Sequence, residues 1–310
     1  MKLADQVTLY EVGLRDGLQL EPKILTVDEK LELFYLLQMA NVSEIEFGSF
    51  VHPRLVPQMA NTAEFYHEIK EFPETELVAL IPNLKGLELA KQNGVNSVNY
   101  VFSASNTHNQ QNVRQTAEQS LESFRNLSQY ASDNEIALNV TIATSFGCPF
   151  EGSVPPQRIM NIIEQLLLHN IKRITLADTT GMANPKQVYQ LTKQAVNEFK
   201  NVEFGCHFHN TRGMGLANIV AGLEAGITIF DASLGGIGGC PFAPGATGNV
   251  CTEDVVHMLE EMGVHTSINL DQLIDASHRL KELLGHELSG QVVKAGKSSR
   301  LYPVPNKVTS

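Results

Sequence analysis

Two histidines, His207 and His209, close a short apolar run that starts at Val202, with only Phe208 between them. In an extended chain, residues i and i+2 point to the same side. Both imidazoles therefore project together from a strand end, spaced to grip one metal ion. Such a pair can equally be two polar residues beside a loop, so the metal reading turns on whether other segments bring matching groups to the same place. Chemically costly residues recur along the chain: Arg15-Asp16 with Gln19, Glu46 with Ser49, Asp178-Thr179, and a glycine-rich stretch holding Cys240 ahead of Asn249. Each has a plain alternative. Asp16 could cap a turn, Asp178 could cap a helix, Glu46 could be a surface charge, and glycines usually mark tight turns.

The elements that must position these residues alternate regularly. Short β-branched and apolar runs at 7–12, 43–47, 76–81, 97–102, 136–142, 173–177, 202–207 and 228–233 read as strands. Between them lie stretches of helical periodicity. Thr26-Val27-Asp28-Glu29 is a capping box that opens the first. Others run over 62–69, 84–92, 117–130, 156–169, 185–199, 216–225 and 252–262, the last with Thr252 as its N-cap. Eight strands, each followed by a helical segment, over roughly 250 residues predict an α/β fold of the (β/α)8 TIM-barrel kind. A doubly wound open sheet is the runner-up, because alternation alone does not distinguish a closed sheet from an open one. One more helix is expected over 270–284, before a polar, loosely patterned tail. The chain thus reads as a single domain over 1–310, with the barrel over about 5–265 and the extra helix and tail over 266–310.

The 310 residues are 43% hydrophobic and 18% charged, an ordinary balance for a chain with a sizeable core. A net charge of −11 argues against a general nucleic-acid surface, and any anionic substrate needs a locally positive site. Cys148, Cys206, Cys240 and Cys251 form no CxxC pair, so neither a zinc ribbon nor a disulfide framework is indicated. No stretch approaches eighteen apolar residues, and no secretory signal opens the chain. A soluble, cytoplasmic protein without membrane partners is the expectation.

In a (β/α)8 barrel, catalysis sits where the strands end. The costly residues all fall there: Arg15-Asp16 after the first strand, Glu46 and Ser49 at the second, Asp178-Thr179 at the sixth, His207 and His209 at the seventh, and Cys240 and Asn249 after the eighth. Several stretches also resemble the hydroxymethylglutaryl-CoA lyases, within the wider group of metal-dependent barrel lyases and acyl-CoA condensing enzymes. They are Glu11-Val12-Gly13-Leu14-Arg15-Asp16-Gly17-Leu18-Gln19, Ser49-Phe50-Val51, Gly147-Cys148-Pro149-Phe150-Glu151, Asp178-Thr179-Thr180-Gly181, and a long match from Leu234 to Asp254. The likeness spans nearly the whole chain in the right order.

The resemblance implies retro-Claisen cleavage of 3-hydroxy-3-methylglutaryl-CoA, or a related 3-hydroxy-3-carboxyalkyl-CoA, to acetyl-CoA and an oxo acid. It implies a divalent cation held by Asp16, His207, His209 and Asn249. A mixed nitrogen and oxygen set with open positions suits Mg2+ or Mn2+ better than a closed zinc site. By the same resemblance Arg15 stabilises negative charge on the thioester oxygen, and Cys240 moves a proton at the leaving carbon from a loop able to close. His207 is the candidate for the hydroxyl proton, with Glu46 and Asp178 orienting Arg15 or the hydroxyl. Gln19, Ser49 and Thr179 are expected at the substrate. Cys148, Cys206 and Cys251 are read as structural. The partner is an acyl-CoA, and the assembly a homodimer. Lys23, Arg114, Lys294, Lys297 and Arg300 are candidates for the CoA phosphates.

Departures from the family pattern fall at Leu14, Leu20, Asn106, Asn139 and Asn210. Leu20 and Asn139 bear on the pocket around the acyl group and leave the exact substrate open. Two alternatives follow: a condensing enzyme of the isopropylmalate synthase type, and a barrel that binds metal or acyl-CoA without turnover.

Overall fold

The computed structural model describes residues 3–72, 74–239 and 248–303. Eight strands pair in sequence order: β1 (Thr8–Glu11), β2 (Glu44–Ser49), β3 (Glu76–Ile81), β4 (Ser97–Ser103), β5 (Ala137–Ala143), β6 (Arg173–Asp178), β7 (Glu203–Phe208) and β8 (Ile229–Ala232). All pairings are parallel, and β8 pairs with β1 to close the barrel. The closed (β/α)8 architecture is therefore present, and the open doubly wound sheet is excluded. Among the described residues no helix is long and apolar enough to cross a membrane.

Strand alternation explains the layering. Residues such as Leu9, Ile45, Phe47, Val98, Phe102, Val140, Ile142, Leu176, Phe204 and Phe230 are buried in the large core cluster beneath the helices. Their neighbours in sequence face the barrel interior, which is polar. Asn99 donates to Glu46, Thr141 donates to Asn99, and Arg173 reaches Glu44 on the opposite wall. Tyr10, Val12 and Val78 form a small apolar cluster of their own.

Helices α1 (Val27–Met39), α2 (Thr62–Ile69), α3 (Leu84–Gln92), α4 (Asn106–Val113), α5 (Ala117–Asp133), α6 (Pro156–Leu166), α7 (Pro185–Glu198), α8 (Gly215–Ala225), α9 (Thr252–Glu261), α10 (Leu270–Leu284) and α11 (Val292–Ala295) complete the fold. The Thr26–Glu29 capping box forms as expected. Two differences bear on the site. Residues 13–17, which carry no strand or helix pattern, form one wide helical turn in which the Gly17 amide bonds the Val12 carbonyl at 3.1 Å. Thr252 is not the N-cap of α9; Cys251 holds that position, and the Thr252 hydroxyl instead donates to Glu11 at 2.6 Å. The short α4 escaped notice because Asn106–Val113 carries almost no apolar residues from which a period could be read.

Candidate active site

The wide turn after β1 sets the geometry. Consecutive residues in a strand would face opposite ways, but here Arg15 and Asp16 are both buried at the barrel mouth. Arg15 donates through Nε to Glu46 Oε2 and through Nη1 to Asp16 Oδ1 at 2.6 Å. Its Nη2 has no hydrogen-bond partner among the described residues. Glu46 is fully buried within β2, which runs on to Ser49 rather than ending at Glu46, and it also accepts from Asn99 at 3.0 Å. Burial pushes its carboxyl upward against the pull of Arg15.

His207 and His209 leave the end of β7 with ring centroids 5.0 Å apart. Together with Asp16 they form a buried group whose ligand atoms all lie within 4.8 Å of one another. Burial alone would raise Asp16, but Arg15, both histidines and the Asn249 amide outweigh it and bring its pKa to about 2. Burial pushes His209 down to about 3, and the neighbouring His207 adds to the effect. His209 Nε2 faces Asp16 Oδ2 at 3.9 Å, while its Nδ1 is buried without a partner among the described residues.

Asn249 arrives from far along the chain by strand-like pairing. The Val250 amide bonds the Phe208 carbonyl at 3.1 Å, the Asn210 amide bonds the Gly248 carbonyl at 2.9 Å, and His209 and Asn249 form an antiparallel bridge. Asn249 Nδ2 donates to Asp16 Oδ2 at 2.7 Å and to the Ile237 carbonyl at 3.1 Å, while Oδ1 is buried without a partner among the described residues. The approach is close enough to demand glycine. A Cβ on Gly238, at φ +103°, would lie 2.7 Å from Asn249 Nδ2 and 2.9 Å from the Asp16 carbonyl. One carboxylate, two imidazoles and an amide oxygen with an unspent lone pair fit a hard divalent cation.

The other expected site residues lie around this centre. Asp178, at the end of β6, accepts from the Met182 and Ala183 amides at 2.8 and 3.0 Å, and burial raises it to about 6. Gln19 donates to Asp16 Oδ1 at 2.7 Å and so steadies that carboxylate. Ser49 accepts from the Val51 amide, and Thr179 accepts from the Thr144 amide. Cys240 lies outside the described residues. Cys148, Cys206 and Cys251 are buried free thiols. Of the five candidate cations, Lys23 is engaged by Glu29 and the Leu283 carbonyl, Lys297 by Asp271, and Arg300 lies over the Tyr302 ring.

Residues that the sequence reading passed over complete the surroundings. Asp231, on β8, bonds His207 Nδ1 at 3.0 Å. Glu11 accepts from the Gly13 and Leu234 amides at 2.7 and 2.8 Å, and Glu253 accepts from the Gly235 amide, the Cys251 thiol and the Ser277 hydroxyl. These two carboxyls fasten the Leu234 and Gly235 amides next to the Arg15–Asp16 turn. A usable signal existed for Asp231: a lone charge inside an apolar strand, in the inward register.

The HMGL-like family model matches residues 6–280. The chain belongs to the HMGL-like family. A hydroxymethylglutaryl-CoA lyase of Bacillus subtilis is 38% identical over 299 residues, covering 96% of this chain and all of the relative. An (R)-citramalyl-CoA lyase of Chloroflexus aurantiacus is 42% identical, covering 96% of each chain. Among solved structures, an HMG-CoA lyase of Acinetobacter baumannii in complex with coenzyme A and 3-methylmalate superposes with a TM-score of 0.93 at 45% identity, covering 97% of this chain and 98% of that one. This HMGL-like chain therefore spans its relatives' length nearly in full.

Proposed function

We propose that this chain is a carbon–carbon lyase that cleaves 3-hydroxy-3-methylglutaryl-CoA, or a closely related 3-hydroxyacyl-CoA bearing a free carboxylate, to acetyl-CoA and an oxo acid. The observation that carries this reading is the buried Asp16–His207–His209 group with Asn249 Oδ1 unspent beside it and Arg15 alongside. A divalent cation bound there, Mg2+ or Mn2+, would polarise the substrate hydroxyl and lower its pKa. Asp16, His207, His209 and Asn249 would hold it.

The chain's own groups supply the rest. As the hydroxyl proton leaves, its bonding electrons form the new carbonyl. The C–C bond pair then moves onto the carbon next to the thioester and spreads to the thioester oxygen. Arg15 Nη2, without a partner among the described residues while Nε and Nη1 are held, is the donor available for that oxygen; Glu46 and Asp16 keep the guanidinium in place. Asp178 is the buried carboxyl able to take the hydroxyl proton, and His207 can do so only when its Nε2 is not committed to the cation. Cys240 would return a proton to carbon, giving acetyl-CoA. By the same family resemblance the assembly is a homodimer, which light scattering reads directly.

A second reading has its own support. The citramalyl-CoA lyase relative and the 3-methylmalate complex both involve four-carbon-chain hydroxy acids with hydroxyl and carboxylate on adjacent atoms. (R)-Citramalyl-CoA, giving pyruvate and acetyl-CoA, is then the preferred substrate. Acetyl-CoA release from both thioesters, with Mg2+ or Mn2+ added to metal-free protein, decides between them. Release from neither would falsify the lyase assignment.

A further inference from the structure

Resting on the metal-site reading above, we infer that Asp231 is a positioning residue that dictates which nitrogen His207 offers to the cation. His207 and Asp231 are direct register partners across the β7–β8 pairing, so their side chains leave the strands side by side. On the other flank, across β6–β7, His207 faces Ala177, whose methyl leaves the ring room. The imidazole therefore leans toward β8, and its Nδ1 lies 3.0 Å from Asp231 Oδ2. Both residues are nearly sealed, at 8% and 5% exposure, so water does not compete for this contact.

A carboxylate only accepts hydrogen bonds, so Nδ1 must carry the hydrogen. In the neutral ring that leaves the lone pair on Nε2 alone, so Nε2 is the one atom His207 can offer to a cation shared with Asp16 and His209. The same bond makes Nε2 a stronger donor to a cation and fixes the plane of the ring. His209 has no such support, since its Nδ1 lacks a partner among the described residues. The two histidines are thus unequal: one ring is locked by a buried carboxylate, and the other has no such lock among the described residues.

Asp231→Asn tests this, because the amide keeps the shape but can present a donor to Nδ1 and favour the wrong tautomer. Mn2+ titration of metal-free protein, followed by the electron paramagnetic resonance of free Mn2+, reads affinity without turnover. The expected result is a 10–100-fold weaker Kd in the variant, with most activity regained at saturating Mn2+. A purely structural residue would show no such rescue by metal. Native and variant Kd within twofold overturns the inference and leaves the metal site standing. If the native protein binds no Mn2+, the site and the inference fall together. Should the variant not fold, nitrogen-15 spectra of histidine-labelled native protein with Mg2+ take its place. A protonated Nδ1 on His207 is expected there, and a protonated Nε2 overturns the assignment.

Discussion

The two ends of the barrel spend their charges differently. At the base, the Arg173 guanidinium meets Glu44 through two bonds, at 2.7 and 3.2 Å, and Glu203 at 3.0 Å, and it lies 5.9 Å from the Tyr10 ring centre. Beside it Lys172 grips both oxygens of Glu76. Every one of these charges is answered by another. At the mouth, among the described residues, Asn249 Oδ1 and His209 Nδ1 are buried and unpaired and Arg15 Nη2 has no partner. Leaving buried polar atoms unpaired costs about 1–3 kcal/mol each. The base network answers its charges internally, whereas the mouth leaves donors and acceptors to spare.

The contrast can be broken by mutation, starting with the largest effect. Asp16→Ala should abolish Mn2+ binding and lower turnover by about 10³-fold, the loss of several kcal/mol of charge stabilisation; full activity would mean that the mouth holds no metal. At the opposite end, Arg173→Met should lower stability in urea by about 3 kcal/mol, because it strands Glu44. Turnover per folded molecule should stay unchanged, and a fall in it would erase the division of labour. Arg15→Lys, which keeps the charge but loses the fork, should lower kcat by about 10²-fold with metal affinity intact.

A pH measurement separates groups within the mouth. Burial raises Glu11 to about 7 and Glu253 to about 8, against an unfolded value of 4.5. The folded state therefore binds more protons, so the stability these groups confer is complete below about 4.5 and is lost as pH rises through 7–8. Asp16 has the reverse sign, its contribution being lost as pH falls from 3.8 toward 2. The melting temperature should drop between pH 6 and pH 9, and Glu253→Gln should flatten that drop. The smallest effect expected is from Lys172→Ala, under about 1 kcal/mol, because that pair is partly solvated.

The barrel was legible because each strand is a short apolar run and each helix carries its own period and caps, so the count of eight needed no long-range information. The nearness of His207 and His209 was legible because His-x-His fixes two side chains locally, and the flanking motifs resemble a known family. What escaped depends on register. Nothing local to Asp231 says that it sits beside His207, nor that Arg173 reaches Glu44, 129 positions earlier in the chain. The turn at 13–17 escaped for another reason: Gly-Leu-Arg-Asp-Gly carries no periodic signal, and its shape is dictated by Glu11 and the Val12 carbonyl. Thr252 had the composition of a cap, but a buried carboxylate claimed its hydroxyl.

Asn249 is tied to the end of β7 by its own backbone pairing, and the Leu234 and Gly235 amides are fastened independently by Glu11 and Glu253. The amide that faces Asp16 is therefore held from two sides, by the end of β7 and by the Ile237 carbonyl just beyond the second mooring, so loosening either one alone should weaken Mn2+ binding without abolishing it.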